Sequence, residues 1–433
     1  MKTYPYFKFM ILFVFVAIAA CSKKEDPIGT PAQSLSIALK SDAGDGELEV
    51  LSTGEMVTFT ITGSDGEDYT SSSKIYVNDA EIQEPSYTFN TTGTYTVKAV
   101  YENINSNILN FEVLAPTERA LTVDVSRAMK NQTVTFGLFD SNGNNTASDA
   151  TFYVNGNAIS GFTFSSASEG NFEVYAEYMV NNETFTTPVK DFSVYIPKRN
   201  VVIEDYTGTW CGYCLDALVA IDHAKELTPY ISVVAIHKTA ISIPDPMDFA
   251  QIEDLQDEFN VPDSFPQTQL NRTEAWNDPY DFTAVTNLAG AETDLSVAIN
   301  SQINGSNLSV DVKVVYANGS EPGDKLVVYL IESGVVAPQA NYFNTVEGHP
   351  YYGQGNPIPD FVHNDALRNS LSNLFGDAIP ETSAYQVYSK NYTFTVPAEY
   401  NADNLSFVVM VVKADNSAKN SQHAELGENK IFQ

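Results

Sequence analysis

Between Leu35 and Tyr195 apolar and polar residues alternate with the period of two that marks half-buried strands. Val57-Thr58-Phe59-Thr60-Ile61 and Tyr95-Thr96-Val97-Lys98-Ala99-Val100 are the clearest runs. The pattern occurs twice. Val57 and Val134 open matching strands, Ile75-Tyr76-Val77-Asn78 answers Phe152-Tyr153-Val154-Asn155, and Gly93 answers Gly170, each pair 77 residues apart. A constant offset across three landmarks predicts a duplicated domain.

Each copy, over residues 35–114 and 120–196, has the size and strand spacing of a small immunoglobulin-like β-sandwich, without the paired cysteines of antibody domains. After Pro197 the period changes. Strands Asn200 to Tyr206 and Ile231 to Ile236 alternate with helical stretches, the second from about Asp248 to Phe259, and Gln267 to Asn271 reads as a strand again. Such alternation implies crossovers and parallel pairs, hence an α/β domain over residues 199–292. No terminal hairpin strand is evident before a helical stretch around Asp281 to Ala291.

Beyond Asp294 the pattern returns to antiparallel sheet, and residues 293–433 read as a C-terminal, mostly antiparallel β domain. Leu295 to Gln302 and Leu308 to Tyr316 flank Asn304-Gly305, a hairpin signal. Further strands are expected at Lys325 to Glu332, Tyr385 to Val396 and Leu405 to Ala414. Asn364 is positioned to cap a helix with Leu367, Leu371 and Leu374 on one face and Gly376 past its end.

The chemistry sits at Glu204-Asp205-Tyr206-Thr207-Gly208-Thr209-Trp210-Cys211-Gly212-Tyr213-Cys214. An apolar strand runs through a Gly-containing turn into a Cys-x-x-Cys pair. The pair opens a helix whose Ala217, Ile221, Ala224 and Leu227 share a face. Unpaired N–H groups and the positive dipole end at a helix start favour thiolate. Cys211, with the more exposed sulfur, is therefore the expected nucleophile, and Cys214, one turn further in, the resolving thiol. Two other readings stand beside this one. A zinc site would need two more ligands, and the remaining cysteine is Cys21 while the five histidines are scattered. A structural disulfide over so short a loop would constrain the unfolded chain little.

Trp210-Cys211-Gly212-Tyr213-Cys214 resembles the active-site signature of thioredoxin-like proteins, and Asn260 to Gln267 resembles the segment that carries their cis-proline. The resemblance implies that Asp205 is a buried acid serving Cys214, that Pro266 is cis, and that Trp210 belongs to the site. The longer pattern, Ile203 to Cys211 with Leu270-Asn271-Arg272 and His363-Asn364 through Arg368, resembles the Omp28 family, thioredoxin-like outer-membrane lipoproteins of Bacteroidota. It covers about residues 199–433 and leaves the first half unexplained. The segment Val335 to Pro359, rich in Gly, Pro, Asn and Tyr, reads as a loop and surface ornament, with a cover over the cysteine pair as the alternative.

Acidic residues outnumber basic ones 55 to 23, a formal charge of −32, with no basic cluster. This argues against a nucleic-acid partner, which needs grouped Lys and Arg. At the start, Lys2 and Lys8 precede an apolar run from Phe9 to Ala20, too short to span a bilayer and typical of a signal-peptide core. Ile18-Ala19-Ala20-Cys21 resembles a bacterial lipobox. The expected organisation is thus a signal peptide over residues 1–20, a chain lipidated at Cys21, and a tether over residues 21–34. Lys24-Glu25-Asp26 resembles a short surface-export signal, and a plain solvated linker is the other reading. The expectation is a thiol-disulfide oxidoreductase at the outer membrane, facing periplasm or cell surface. It would act on protein thiols or disulfides of the cell envelope, and no cofactor or metal is called for. A rival is a binding or adhesion lipoprotein whose sandwiches take a surface ligand and whose cysteine domain is a redox-inactive scaffold.

Overall fold

The computed structural model describes residues 34–241 and 243–433, except 40–48. Cys21, the signal peptide and the tether up to residue 33 lie outside the described residues. The chain divides into two compact units, Met1–Ala120 with Phe139–Thr146, and Leu121–Leu138 with Ala147–Gln433. Strand dominates among the described residues. Among the described residues the α-helices are three, of 14, 8 and 5 residues.

The two immunoglobulin-like sandwiches have the same topology. In the first, Leu35–Leu39, Met56–Gly63 and Ser86–Thr88 form one sheet. Glu49–Ser52, Leu109–Leu114, Gly93–Tyr101, Lys74–Val77 and Ala80–Ile82 form the other. In the second, Arg119–Val123, Val134–Asp140 and Thr163–Phe164 face Arg127–Met129, Lys190–Tyr195, Gly170–Val180, Ala150–Val154 and Asn157–Ala158. The apolar alternation places the same positions inside. Val57, Phe59, Ile75, Val77, Val97 and Ala99 are buried, and so are their counterparts 77 residues on, Val134, Phe136, Phe152, Val154, Val174 and Ala176. Beyond Ala176 the offset grows to 81, pairing Phe111 with Phe192 and Val113 with Val194. The cause is local: the strand after Gly170 has 11 residues where its counterpart has 9, which lengthens both arms of its hairpin.

In the remainder, elements are labelled in chain order: β1 (Val201–Thr207), α1 (Cys214–Leu227), β2 (Ile231–His237), α2 (Ile252–Phe259), β3 (Gln267–Leu270), β4 (Glu274–Ala275), α3 (Phe282–Thr286), β5 (Leu295–Asn304), β6 (Asn307–Tyr316), β7 (Lys325–Glu332), β8 (Val335–Gln339), β9 (Ile358–His363), β10 (Ala366–Ser370), β11 (Val387–Thr395), β12 (Leu405–Val412) and β13 (Ala418–Glu425). One nine-stranded sheet runs β4-β3-β1-β2-β10-β7-β12-β13, with the short strand Asp377–Ala378 also paired to β7. β1 and β2 are parallel, joined through α1, while β3 is antiparallel to β1.

This sheet corrects the expected boundary at residue 292. The strands before it and β7, β10, β12 and β13 after it form one continuous surface. Helices are too few for the self-contained α/β domain expected over residues 199–292. β1 and β12 are buried along their whole lengths because both faces of the sheet are covered. On one face Val202, Tyr206, Val234 and Ile236 join Val327, Tyr329, Val408 and Met410 beneath Ile252 and Leu255 of α2. On the other, α1 and α3 cover Val201, Ile203 and Val233, and the four-stranded sheet of β11, β6, β5 and Asn429–Lys430 covers Leu326, Val328, Phe407 and Val409.

Three further expectations change. The helix expected after Asn364 is β10: Leu367 packs under α2, whereas Leu371 packs toward the four-stranded sheet. Their helical spacing arises from a chain crossing between two cores. Gly376 is no helix cap. Its φ is +93°, and a Cβ there would lie 2.9 Å from Lys325 Cβ, so glycine lets the backbone approach β7. α2 begins at Ile252 rather than Asp248, whose Oδ1 instead accepts from the Thr239 amide at 2.6 Å.

Candidate functional site

Cys211 and Cys214 form a disulfide with Cα atoms 5.4 Å apart. Cys214 is the first residue of α1 and Tyr213 its N-cap, so Cys211 lies in the turn just outside the helix. Ala217, Ile221 and Ala224 are buried as their spacing requires, while Leu227, at the helix end, is 48% exposed. The Trp210 indole N–H donates to the Lys238 carbonyl at 2.6 Å, and its ring stacks on Phe265 at 5.7 Å. The Phe265–Pro266 peptide is cis.

Both cysteines are buried, Cys211 4% exposed and Cys214 1%. The cover comes from residues 339–356, within the segment 335–359 read from sequence as a loop and surface ornament, with a cover over the cysteine pair as the alternative. Its first part is strand, since β8 and β9 pair and bracket it. The Ala340 amide donates to the Thr209 carbonyl at 2.8 Å, the Gln339 side-chain amide to the Cys211 carbonyl at 2.9 Å, and the Tyr342 amide to the Gly212 carbonyl at 3.2 Å. Tyr342 lies so close that a Cβ on Gly212 would sit 2.5 Å from its ring. Tyr213 meets both Tyr342 and Phe343 edge-on.

This strap is ordered by its own amides. Asn341, fully buried, donates to the Tyr351 and Gly355 carbonyls, each at 2.9 Å, and accepts from the Phe343 amide at 3.0 Å. An asparagine that satisfies loop backbone in this way holds a loop without helix or sheet.

On β1, the strand that runs into the cysteine turn, Asp205 is fully buried, and neither carboxylate oxygen has a hydrogen-bond partner. Burial, with a smaller contribution from the negative charge of Asp365, pushes its carboxyl up to about 8. Asp205 therefore carries its proton at neutral pH. In the unfolded chain it ionises near the ordinary value, so between that value and about 8 rising pH stabilises the unfolded state more than the folded one. Asp205→Asn removes this penalty. Urea titrations should find the variant matching wild type near pH 4 and more stable at pH 8. A stability difference that does not grow with pH would contradict the assignment.

His237 and Asp245, which the sequence did not single out, complete the site together with His363 of the longer pattern. His237, ending β2, places Nδ1 3.0 Å from Asp245 Oδ2, and that oxygen accepts the Thr209 amide at 2.7 Å. Burial alone would raise the Asp245 carboxyl, but His237 and the Thr209 and Met247 amides outweigh it and hold it below the usual range. The pair thereby clamps the turn that carries Trp210 and Cys211. Asp245 stands between Pro244 and Pro246, a turn signal, but nothing local aims it at Thr209. His363 packs edge-on to His237 at 5.5 Å, and burial followed by repulsion from His237 lowers it to about 4.

Glu204 and Arg272, met in sequence as parts of a longer pattern, are structural. They form an ion pair of 2.8 Å, both side chains fully buried, and Arg272 also donates to the Tyr329 hydroxyl at 2.5 Å. Asn364 accepts from the Gly334 amide and Arg368 pairs with Glu332, so these two also hold loops and sheet rather than the cysteine pair. Among the described residues no cluster of three or more His, Cys, Asp or Glu could hold a metal ion.

No curated protein matches the chain. Among solved structures, HBP35 of Porphyromonas gingivalis is similar at 16% identity, with 54% of this chain and 77% of that chain covered and a TM-score of 0.42. The fibronectin(III)-like modules of Clostridium thermocellum CbhA are similar at 19% identity over 37% of this chain and 93% of that one, with a TM-score of 0.17. The D0-D1 domain of intimin gives 13%, 37% and 98%, with a TM-score of 0.22. The family described as outer membrane protein Omp28 matches from α2 onward, downstream of Cys211 and Cys214, and over residues 252–430 this chain is similar to that family.

Proposed function

We propose that the protein is a thiol-disulfide oxidoreductase of the cell envelope, its Cys211–Cys214 pair carried on a thioredoxin-like β1-α1-β2 unit built into a larger sheet. The observation that supports this is the disulfide at the start of α1 with an unpartnered, protonated acid buried on the adjoining strand. Starting from the oxidised pair, a substrate thiolate attacks Cys211 Sγ and the Cys211–Cys214 bond breaks. Cys214 leaves as thiolate and takes the Asp205 proton. The second substrate thiolate then attacks the mixed disulfide at the substrate sulfur, releasing Cys211 thiolate and an oxidised substrate. The pair gains two electrons and the substrate dithiol loses two. The reverse sequence reduces a substrate disulfide, with Cys211 attacking and Cys214 resolving.

Cys214→Ser should trap protein substrates on Cys211 as mixed disulfides in cell-envelope extracts, while Cys211→Ser should trap few. The opposite result reverses the two roles. Capture by neither variant favours the second reading, a binding lipoprotein on a retired redox scaffold, which the burial of both sulfurs under the strap supports.

Similarity to an outer membrane protein family over residues 252–430 supports an outer-membrane location, and the Ile18-Ala19-Ala20-Cys21 pattern supports a lipid anchor there. Cys21→Ser should move the protein from the membrane to the soluble fraction. Unchanged membrane fractionation with the fatty-acid label retained would refute the anchor.

A further inference from the structure

The exchange reaction proposed above takes a proton from Asp205, and Asp205 has no exposed atom through which to recover it. Its surroundings supply a route. A cavity of about 90 Å³ is walled by Asp205, Asp222, His237, Tyr351, His363 and Asp365, among others. Leu218 and Ile221 also line it, and on α1 these lie four and seven residues beyond Cys214, on the same helix face. The wall is polar and the volume several times the roughly 10–15 Å³ that one water needs, so it meets the conditions for holding water.

The cavity reaches the surface at one end. Asp222 is exposed, and the Asp365 side chain is 21% exposed and 2.6 Å from Lys225 Nζ. Asp365 is also fixed in place by its main chain. Its carbonyl accepts from the Ala235 amide at 2.7 Å, and its own amide donates to Ser333 Oγ at 3.0 Å. The Asp365 carboxylate thus stands between the buried acid and solvent on a rigid support.

We propose that this cavity is the proton path to Asp205 and that Asp365, on the turn between β9 and β10, is the carboxylate at its outer end. Asp365 is a positioning residue that acts through Asp205, and the proposal rests on the redox reading of the cysteine pair. After Asp205 gives its proton to the Cys214 thiolate, water in the cavity returns one, drawn in turn from solvent at the Asp365–Lys225 mouth. The titratable groups that face Asp205 are His237 from β2, Asp222 from α1, Tyr351 from the strap, Tyr280 ahead of α3, and His363 and Asp365 from the β9–β10 turn. Among these Asp365 is the carboxylate whose charge bears on Asp205.

The test is the Asp205 titration followed by carboxyl-carbon NMR in the full soluble chain, beside the pH profile for reduction of Cys211–Cys214 by dithiothreitol. Asp365→Asn removes a negative neighbour and should lower the Asp205 midpoint by roughly half a pH unit or more. Lys225→Gln removes the cation that offsets Asp365 and should raise it. Opposite shifts from two surface substitutions do not arise from general loosening of the fold. If the pH profile follows both shifts, the path serves the reaction. An Asp205 midpoint unmoved by either variant overturns the proposal. Shifts in Asp205 with an unchanged pH profile would instead overturn the part of Asp205 in exchange, leaving its connection to Asp365 intact.

Discussion

Replacing Arg272 by methionine should destabilise the nine-stranded sheet by about 3–5 kcal/mol, because it leaves Glu204 charged and without its partner inside the protein. The Arg272–Glu204 pair has no exposed atoms on either side chain and spans β1 and the turn after β3. From there the guanidinium reaches Tyr329 on β7 and lies over the Phe259 ring of α2 at 5.1 Å. One cation thus ties together strands from both sides of residue 292. The double replacement Arg272→Met with Glu204→Leu should recover most of the loss, since an apolar pair of similar size removes the desolvation problem instead of halving it. Chemical denaturation of the two variants measures this. A single-variant loss below about 1 kcal/mol would mean that water reaches Glu204 and that the pair behaves as a surface contact.

The second large effect is expected at Gly212. A methyl group there meets the Tyr342 ring at 2.5 Å, and the strap, held on this side by three hydrogen bonds to Thr209, Cys211 and Gly212, is the part able to move. Forcing atoms into a packed contact costs about 1–3 kcal/mol, and here that energy lifts the strap. Gly212→Ala should then speed reduction of the disulfide by a small thiol about 5- to 150-fold. In a Tyr342→Ala background, where the clash has no partner, adding Gly212→Ala should change the rate little, and the difference between the two backgrounds isolates the contact. Equal effects in both backgrounds would show that the strap does not limit access. The physical point is that buried sulfurs react only as fast as their cover opens.

Where the chain's own alternation decided burial, the elements were readable in advance. The two sandwiches follow from period-two runs repeated at a fixed offset, because each inward position needs an apolar residue wherever the copy lies in the chain. β7 and β12 were readable as strands for a similar reason, being almost uninterrupted apolar runs. The cysteine pair at a helix start was legible from three residues of spacing and the strand before it.

What the sequence by itself determined is therefore local: which segments alternate, where the copies repeat, where a thiol pair meets a helix, and which acid lies on the strand behind it. Only the tertiary structure decided that β7, β10, β12 and β13 complete the sheet begun by β1, since hydrophobic period says which face is buried but not which strand lies alongside. It also decided that Leu367 and Leu371 serve two cores rather than one helix face. The strap over Cys211, 128 residues away in sequence at the Gln339 contact, and the clamp of Asp245 on Thr209 are polar contacts between loops. Hydrogen bonds of this kind leave no periodic trace, because a side-chain amide or carboxylate satisfies whatever backbone group the fold brings within 3 Å.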